Sequence, residues 1–136
     1  MIKLKITSKE MKALSRYLQT CIEIARTEIA KGMDYQVYRV ENNKAMREVS
    51  WLQADREKYV LRISERHAQI DEFEKLQRKL LLSYDKREGK TKTVGITKAA
   101  GYFILIYMAK AEAMIKEAYT NLVVSTQANT ILKNLL

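Results

Sequence analysis

The segment between Asp34 and Gly89 contains no residue that would be expected to end a helix, and this constrains the fold more than any other feature. The chain of 136 residues has no proline, and none of its four glycines lies inside the segment. Apolar residues recur there at spacings of three and four, the period of an amphipathic α-helix. We therefore predict one long helix over residues 34–87, about 80 Å in length at 1.5 Å per residue.

Composition supports a single helical domain over residues 1–136. Hydrophobic residues make up 47% of the chain, which is enough for a real core in a protein of this length. An average proline content of about 5% would give roughly seven prolines, and their absence disfavours a turn-rich β fold. The predicted fold class is all-α, an elongated helical bundle in which the long helix packs in the manner of a coiled coil.

The N-terminus predicts a short strand over residues 2–6. Apolar and basic side chains alternate there in the order Ile2, Lys3, Leu4, Lys5 and Ile6. An alternation of period two gives a strand one apolar and one basic face. A lone strand needs a partner, and two candidates remain open: residues 94–96 of the same chain, or the same strand of a second protomer.

A first helix is predicted over residues 8–31. Thr7 and Glu10 have the spacing of a capping box, in which a hydroxyl and a carboxylate each accept a hydrogen bond from the other residue's backbone amide. Apolar residues follow at helical spacing, and Gly32 stands where a left-handed C-terminal residue would end the helix. Cys21 lies on this apolar stripe, and we interpret it as a small buried hydrophobe.

The long segment has a seam of inward positions with polar exceptions. Counting from Tyr35 in alternating steps of three and four gives fifteen positions, of which eleven are apolar. The polar exceptions are Asn42, Arg56, Arg66 and Gln77. Such residues can fix the register of a coiled coil, or they can reach solvent where a helix curves. A competing interpretation breaks the segment near Asn42 or Ser64, and shorter antiparallel helices would then make a compact bundle.

Beyond the long helix we predict a basic loop over residues 88–96 and a final helix over residues 97–134. The loop prediction rests on two glycines and two lysines, and the helix prediction on a threonine cap at position 97. Apolar residues cover more than one face of the final helix, and the fifteen residues before Lys133 carry no charge. We therefore expect it to be the central helix, with Ile115 and Leu122 buried and with the uncharged stretch in contact with a second chain.

No arrangement of residues points to catalysis, a metal or a cofactor. His67 is the single histidine and Cys21 the single cysteine, so neither a di-iron bundle motif nor a zinc site with the usual spacing can be built. Nothing in the sequence places these two side chains together as a nucleophile and a base. Residues 89–91 match the end of a phosphate-binding loop, but Tyr84 stands where that motif has glycine. We expect a non-enzymatic protein without a cofactor or metal.

The net charge of +9 is concentrated at the N-terminus and in the predicted loop. Residues 1–31 carry seven basic and three acidic groups, residues 85–98 carry five and two, and residues 32–84 are nearly balanced. Such an excess attracts polyanions without specifying which one. The candidate nucleic-acid contacts are Lys3, Lys5, Lys9, Lys12, Arg16, Lys86, Arg87, Lys90 and Lys92. If the first helix ran antiparallel to the long helix, the two groups would lie at opposite ends of the molecule unless a second protomer joined them.

These features predict a helical interaction or structural protein that self-associates, with a homodimer favoured. The long helix exceeds what the other elements of one chain could cover, so we expect a second copy. The alternative is a basic helical module that binds DNA or RNA through phosphate contacts. The most apolar run has eleven residues, whereas a membrane span needs about 20. With no secretory signal recognisable after the first lysines, we expect a cytoplasmic protein and no membrane partner.

Overall fold

Four helices and two strands make up the part of the chain that the structure describes. The structure is a computed structural model, and it describes residues 1–30, 63–84 and 89–135. In chain order the elements are β1 (Ile2–Thr7), α1 (Ser8–Ala30), α2 (Ile63–Ser83), β2 (Thr91–Ile96), α3 (Lys98–Met114) and α4 (Ala118–Leu135). The described residues are mostly helical, which confirms the predicted helical class. The elongated, coiled-coil-like packing depends on residues 34–62, which lie outside the described residues.

The two strands pair antiparallel within one chain. The register sets Ile2 opposite Ile96 and Thr7 opposite Thr91. Of the two predicted partners for β1, the structure therefore has the one in the same chain. Opposite residues share a face of the sheet, and one face is buried against the helices through its apolar residues, Ile2, Leu4, Ile6, Val94 and Ile96.

β2 occupies most of the loop predicted over residues 88–96, so that prediction is wrong from Thr91 onward. Val94 and Ile96 are buried and alternate with more exposed neighbours, which is the burial pattern of a half-buried strand. Threonine, valine and isoleucine favour strands, whereas the glycines and lysines suggested a loop. The pairing with β1 decides the outcome, because a lone strand is not stable, and the apolar faces of both strands pack together against the helices.

Each outer edge of the sheet receives a hydrogen bond from a helix side chain. Lys79 of α2 donates to the Gly95 carbonyl, and the Gln127 amide of α4 donates to the Lys5 carbonyl at 3.3 Å. These two carbonyls therefore point away from the partner strand. Bonded and non-bonded pairs alternate along an antiparallel ladder, so Lys5 and Thr93, which stand opposite each other, form a non-hydrogen-bonded pair.

α1 begins with the predicted capping box and is helical through Ala30, the last residue described before the gap, so its predicted end at residue 31 lies outside the described residues. The Thr7 amide donates to Glu10 Oε1 at 3.0 Å, and the Glu10 amide donates to Thr7 Oγ1 at 3.2 Å. The apolar residues at helical spacing are buried as predicted: Met11, Leu14, Leu18, Cys21 and Ala25. The local sequence was sufficient for this element because both its cap and its apolar stripe are signals within the helix itself.

α2 is the part of the long predicted helix that the structure describes. It ends at Ser83 rather than at residue 87. The seam positions Ile70, Phe73 and Leu80 are buried as predicted. The description of α2 starts at Ile63, directly before Ser64, so the choice between one unbroken helix and a break near Asn42 or Ser64 concerns residues outside those that the structure describes.

α1 and α2 lie side by side in opposite directions. Near the C-terminal end of α1, Glu28 forms an ion pair with Arg66 from the start of α2. Near the N-terminal end of α1, Lys12 lies over the ring of Tyr84, which follows the last residue of α2. The end of α2 is therefore level with the beginning of α1, beside the sheet.

The final helix predicted over residues 97–134 is wrong as a single element, because it divides at residues 115–117. Ile115 takes an extended conformation with φ −87° and ψ 116°. Its carbonyl accepts a hydrogen bond from the Asn121 amide at 3.0 Å, and Thr120 Oγ1 donates to the Glu117 carboxylate at 3.1 Å. Side-chain hydrogen bonds of this local kind offer the backbone an alternative to a continuous helix. They break the helix without glycine or proline.

Of the two halves, α3 is central and α4 is peripheral. Residues 104–108 of α3 are all buried, whereas α4 buries one face and exposes the other. Gly101 allows α3 to approach the sheet and α4, because a Cβ at this position would lie 3.1 Å from side-chain atoms of both Ile2 and Ile131. Leu122 is 64% exposed, so its predicted burial is wrong. The break in the helix lets α4 turn only one face towards α1 and β1.

A buried ionic cluster joins α1, α2 and α3. Glu28 is 2% exposed, and its two carboxylate oxygens accept hydrogen bonds from Arg66 at 2.8 Å and from Lys110 at 2.6 Å. Arg66 also donates to the Tyr107 hydroxyl at 3.3 Å, and that hydroxyl donates to the Gln69 side-chain carbonyl. Three helices therefore meet at one carboxylate, and their relative positions depend on it.

Candidate functional site

The outer face of the sheet carries lysines and no carboxylate. Lys3 and Lys5 of β1 are exposed on this face, and the residues opposite them on β2 are Gly95 and Thr93. The alternation that buries the apolar residues of β1 therefore also collects its charge on the solvent side.

The pairing of the strands brings the two basic groups of the sequence together. Lys9 and Lys12 lie in the first turns of α1, directly after β1. Lys90 precedes Thr91, which is paired with Thr7 at the same end of the sheet. We use the term basic surface for six lysines: Lys3, Lys5, Lys9, Lys12, Lys90 and Lys92. The prediction that the two groups lie at opposite ends is wrong, because α2 ends level with the start of α1.

The lysines of the basic surface differ in exposure. Lys3, Lys5, Lys9 and Lys90 are among the exposed residues, as is Lys12. Lys92 is opposite Ile6, on the face that packs against the helices, and is only partly exposed. Its long side chain can still place the ammonium group at the rim of the sheet.

Positive charge predominates in the segments that form the basic surface. Residues 1–12 and 89–98 contain seven lysines and a single acidic residue, Glu10. The Glu10 carboxylate already accepts the amide of Thr7 in the capping box. Residues 13–30, by contrast, contain two basic and two acidic residues. A surface on which positive charge predominates produces a field that attracts anions.

Two lysines of the basic surface lie over tyrosine rings. Lys9 Nζ is 4.7 Å from the centre of the Tyr119 ring, and Lys12 Nζ is 5.0 Å from the centre of the Tyr84 ring. Both distances are within the range of about 6 Å in which a ring attracts a cation. The local sequence could not predict that these tyrosines contact lysines, because Tyr119 lies in α4 and Tyr84 follows α2, far from β1 and α1 in sequence.

The other candidate contacts do not extend the basic surface. Arg16 forms an ion pair with Glu117 across the exposed side of α1, so its charge is partly compensated. Lys86 and Arg87 lie outside the described residues. The six lysines above are therefore the predicted contacts that the structure brings together.

Two lysines of α2 that the sequence did not single out lie beside the β2 edge of the sheet. Lys75 and Lys79 help to line a crevice of about 250 Å³ between α2, the end of β2 and the start of α3. In this crevice Thr97 Oγ1 donates to Glu72 at 3.2 Å and also accepts the Ala100 amide at 3.0 Å, which caps α3 as predicted. These lysines lie in the long segment, where basic and acidic residues are nearly equal in number, so the sequence did not mark it as basic. Only the fold shows which of its charges face the sheet.

An open cavity of about 350 Å³ lies between α1 and α2, beside the basic surface. Apolar and polar side chains from both helices line it. Lys12 belongs both to this lining and to the basic surface, so the cavity adjoins the basic surface.

The side chains considered for nucleophilic chemistry are not arranged for it. Cys21 is buried beside Tyr17, whose hydroxyl donates to the Ile104 carbonyl at 2.7 Å. Burial raises the pKa of the Cys21 thiol well above its usual range, so the thiolate nucleophile does not form near neutral pH. His67 is exposed on α2. Over the described ranges, no three His, Cys, Asp or Glu residues are grouped so that they could hold a metal ion.

Comparisons of the chain with protein-family models, with curated proteins and with solved structures find no match. None of the helices in the described residues is both long and apolar enough to cross a bilayer.

Proposed function

We propose that this protein is a non-enzymatic module that binds nucleic acid through phosphate contacts of its basic surface. One observation carries the proposal: β1 pairs with β2, and the pairing joins lysines from two distant parts of the sequence. A polyanion that touches one group of lysines is then within reach of the other.

The chemistry of the surface fits phosphate rather than base recognition. Lysine binds a phosphate as a compact point charge without the fixed fork of arginine, and phosphate contacts carry no sequence information. The outer face of the sheet adds the exposed hydroxyls of Thr91 and Thr93 beside Lys5. We therefore expect binding that depends little on sequence and weakens as the salt concentration rises.

The direct test is a titration at low salt with single-stranded DNA, duplex DNA and RNA, repeated over a salt series. Lys5→Ser should weaken binding and lower the salt slope by about one for duplex DNA, because one phosphate contact is lost. Lys116→Ser is the matched control, since Lys116 is also exposed but belongs to the turn between α3 and α4. If none of the three polyanions binds at tens of micromolar protein, the proposal is wrong.

Self-association is a second candidate, and the exposed face of α4 favours it. Leu122 is 64% exposed and Tyr119 39% exposed, and Met114 at the end of α3 is 53% exposed. Charged residues make up 30% of the chain, yet residues 118–132 contain none. An uncharged helix face with exposed apolar residues is typical of the core of a protein interface.

The charges that flank α4 favour a second copy of the chain as the partner. Glu117 precedes the uncharged stretch and Lys133 follows it. Two α4 helices packed in opposite directions would place Glu117 of each copy near Lys133 of the other, at both ends of the contact. The homodimer proposed here is therefore isologous, with the same face used by both copies.

Solution mass measured over a concentration series tests this second candidate. The wild type should approach the mass of a dimer in the high micromolar range. Glu117→Lys should weaken the dimer, and adding Lys133→Glu should restore it, because the swapped charges meet again. A mass that stays monomeric at every concentration rejects the candidate.

A further inference from the structure

The cavity between α1 and α2 has the size and the lining of a site for a small molecule or a single group of a larger ligand. Its volume of about 350 Å³ lies near the lower end of the range for small-molecule sites, which is roughly 300–1,000 Å³. Met11, Leu80 and Leu81 supply apolar surface, and Ser15, Gln77, Lys12 and Tyr84 supply polar atoms and a ring. Apolar walls with a few placed polar groups are the usual composition of a binding site.

The polar groups in the cavity are held in position. The Gln77 amide donates to the Ser15 carbonyl and to Gln19 Oε1, both at 3.2 Å, which fixes the Gln77 side chain between the two helices. Lys12 lies over the Tyr84 ring at 5.0 Å. The Tyr84 ring therefore lines the cavity beside a positive charge.

We propose that this cavity receives an unpaired nucleobase, which stacks against the Tyr84 ring while Lys12 contacts the phosphate of the same strand. The inference rests on the proposed nucleic-acid binding and gives it a preference for single strands over duplexes. Lys12 connects the two parts, since it belongs both to the basic surface and to the cavity lining.

The positive charge of Lys12 and the aromatic ring of Tyr84 together favour a nucleobase of a nucleic-acid strand as the occupant. A strand drawn to the basic surface carries one base for every phosphate, so a base is always present within reach of Lys12. Proteins that bind single strands combine a positive groove with aromatic rings on which bases stack, and this stacking tolerates every base. A paired base cannot enter, because it must first leave the duplex at a cost of a few kcal/mol.

The test compares an oligonucleotide of about 12 nucleotides, within the usual site size for one domain, as a single strand and as a duplex. Tyr84→Ala should lower the affinity for the single strand about tenfold, as expected for the loss of one stacked base. Its affinity for the duplex should not change. Tyr84→Phe should bind like the wild type, because it keeps the ring. Tyr102→Ala is the matched control, since Tyr102 is also a half-buried tyrosine but does not line the cavity.

A single strand built of abasic sites separates stacking from charge. The wild type should bind it as weakly as Tyr84→Ala binds the normal strand. The inference is overturned if Tyr84→Ala lowers affinity for both strands equally or for neither. It is also overturned if the substitution instead abolishes binding to vesicles of phosphatidylcholine and phosphatidylserine, because the cavity would then hold an acyl chain. If the wild type shows salt-dependent binding that Tyr84→Ala leaves intact, the proposed function stands and only this inference falls.

Discussion

At the scale of single residues, Glu28 determines how three helices meet. Its carboxylate compensates the charge of Arg66, which is fully buried. Arg66 was one of four polar exceptions on the predicted seam, and the sequence left open whether such residues face inward or reach solvent. Its partner lies on a different helix, so only packing could show that it is buried. Sequence predicted the position of Arg66 on the seam but not its role.

Glu28→Ala should strongly destabilise the fold. Removing one partner of a buried ion pair leaves an uncompensated buried charge, which costs about 3–5 kcal/mol. Glu117→Ala is the control, because the Arg16–Glu117 pair is exposed and such pairs contribute at most about 1 kcal/mol. Urea unfolding of the two variants measures the difference. Equal, small effects would mean that Glu28 does not hold the helices together.

Buried protonated groups predict a loss of stability at alkaline pH. Burial raises the pKa of Tyr107 to about 12 from its ordinary value of 10.0, and it raises the pKa of Tyr17 and of Cys21 well above their usual ranges. The folded state therefore keeps protons that the unfolded state releases. Their contribution to the free energy of unfolding is complete below about pH 9, near the ordinary pKa of cysteine, 9.0. It declines as the pH rises further.

The measurement is the free energy of unfolding between pH 7 and pH 11. Cys21→Ala should move the onset of the decline upward, from near the ordinary pKa of cysteine, 9.0, to near that of tyrosine, 10.0. The test compares each protein with its own stability at neutral pH, because the substitution also leaves a small cavity. A stability that is constant to pH 11 in both proteins would contradict the burial of these groups.

At the scale of elements, the helix caps and the strand alternation in the sequence were reliable, whereas the loop signals over residues 88–96 and the continuity of the final helix were not. The capping box of α1, the threonine cap of α3 and the alternation in β1 each lie within a few residues, and all three are present in the structure. The strand β2 needs its partner β1 to be stable, and the local hydrogen bonds at residues 115–117 act together with the packing of α4 back against α3, where Ile131 lies beside Gly101. Neither can be judged from a short window of sequence.

The break gives opposite expectations for two residues that the sequence placed together in the core. Ile115→Asp should prevent stable folding, because Ile115 is buried and an unpaired buried charge is costly. Leu122→Asp should fold normally, because Leu122 is exposed, but should weaken the proposed self-association. Circular dichroism with thermal melting, followed by solution mass, separates the two effects. A Leu122→Asp variant that does not fold would place α4 in the centre after all.

At the scale of the whole molecule, strand pairing determines where charge collects. The sequence identified both basic groups and one correct partner strand, but the predicted long helix placed the groups far apart. In the described residues α2 ends beside the start of α1, and β2 returns the chain to the N-terminal strand. The cavity beside Lys12 could not be predicted, because it is formed by residues from two helices that are distant in sequence.

The pairing of β1 with β2 in one chain is the central claim, and a disulfide tests it most directly. Lys5 and Thr93 stand opposite each other on the exposed face. Cα atoms of such a non-hydrogen-bonded pair are about 4.5 Å apart, within the range of a disulfide. Under mild oxidation, Lys5→Cys with Thr93→Cys should form a bond within the chain, seen as a faster-migrating monomer on a non-reducing gel. Lys5→Cys alone should not form this species. A covalent dimer in place of the monomer would show that the strands pair between chains, and would contradict the account.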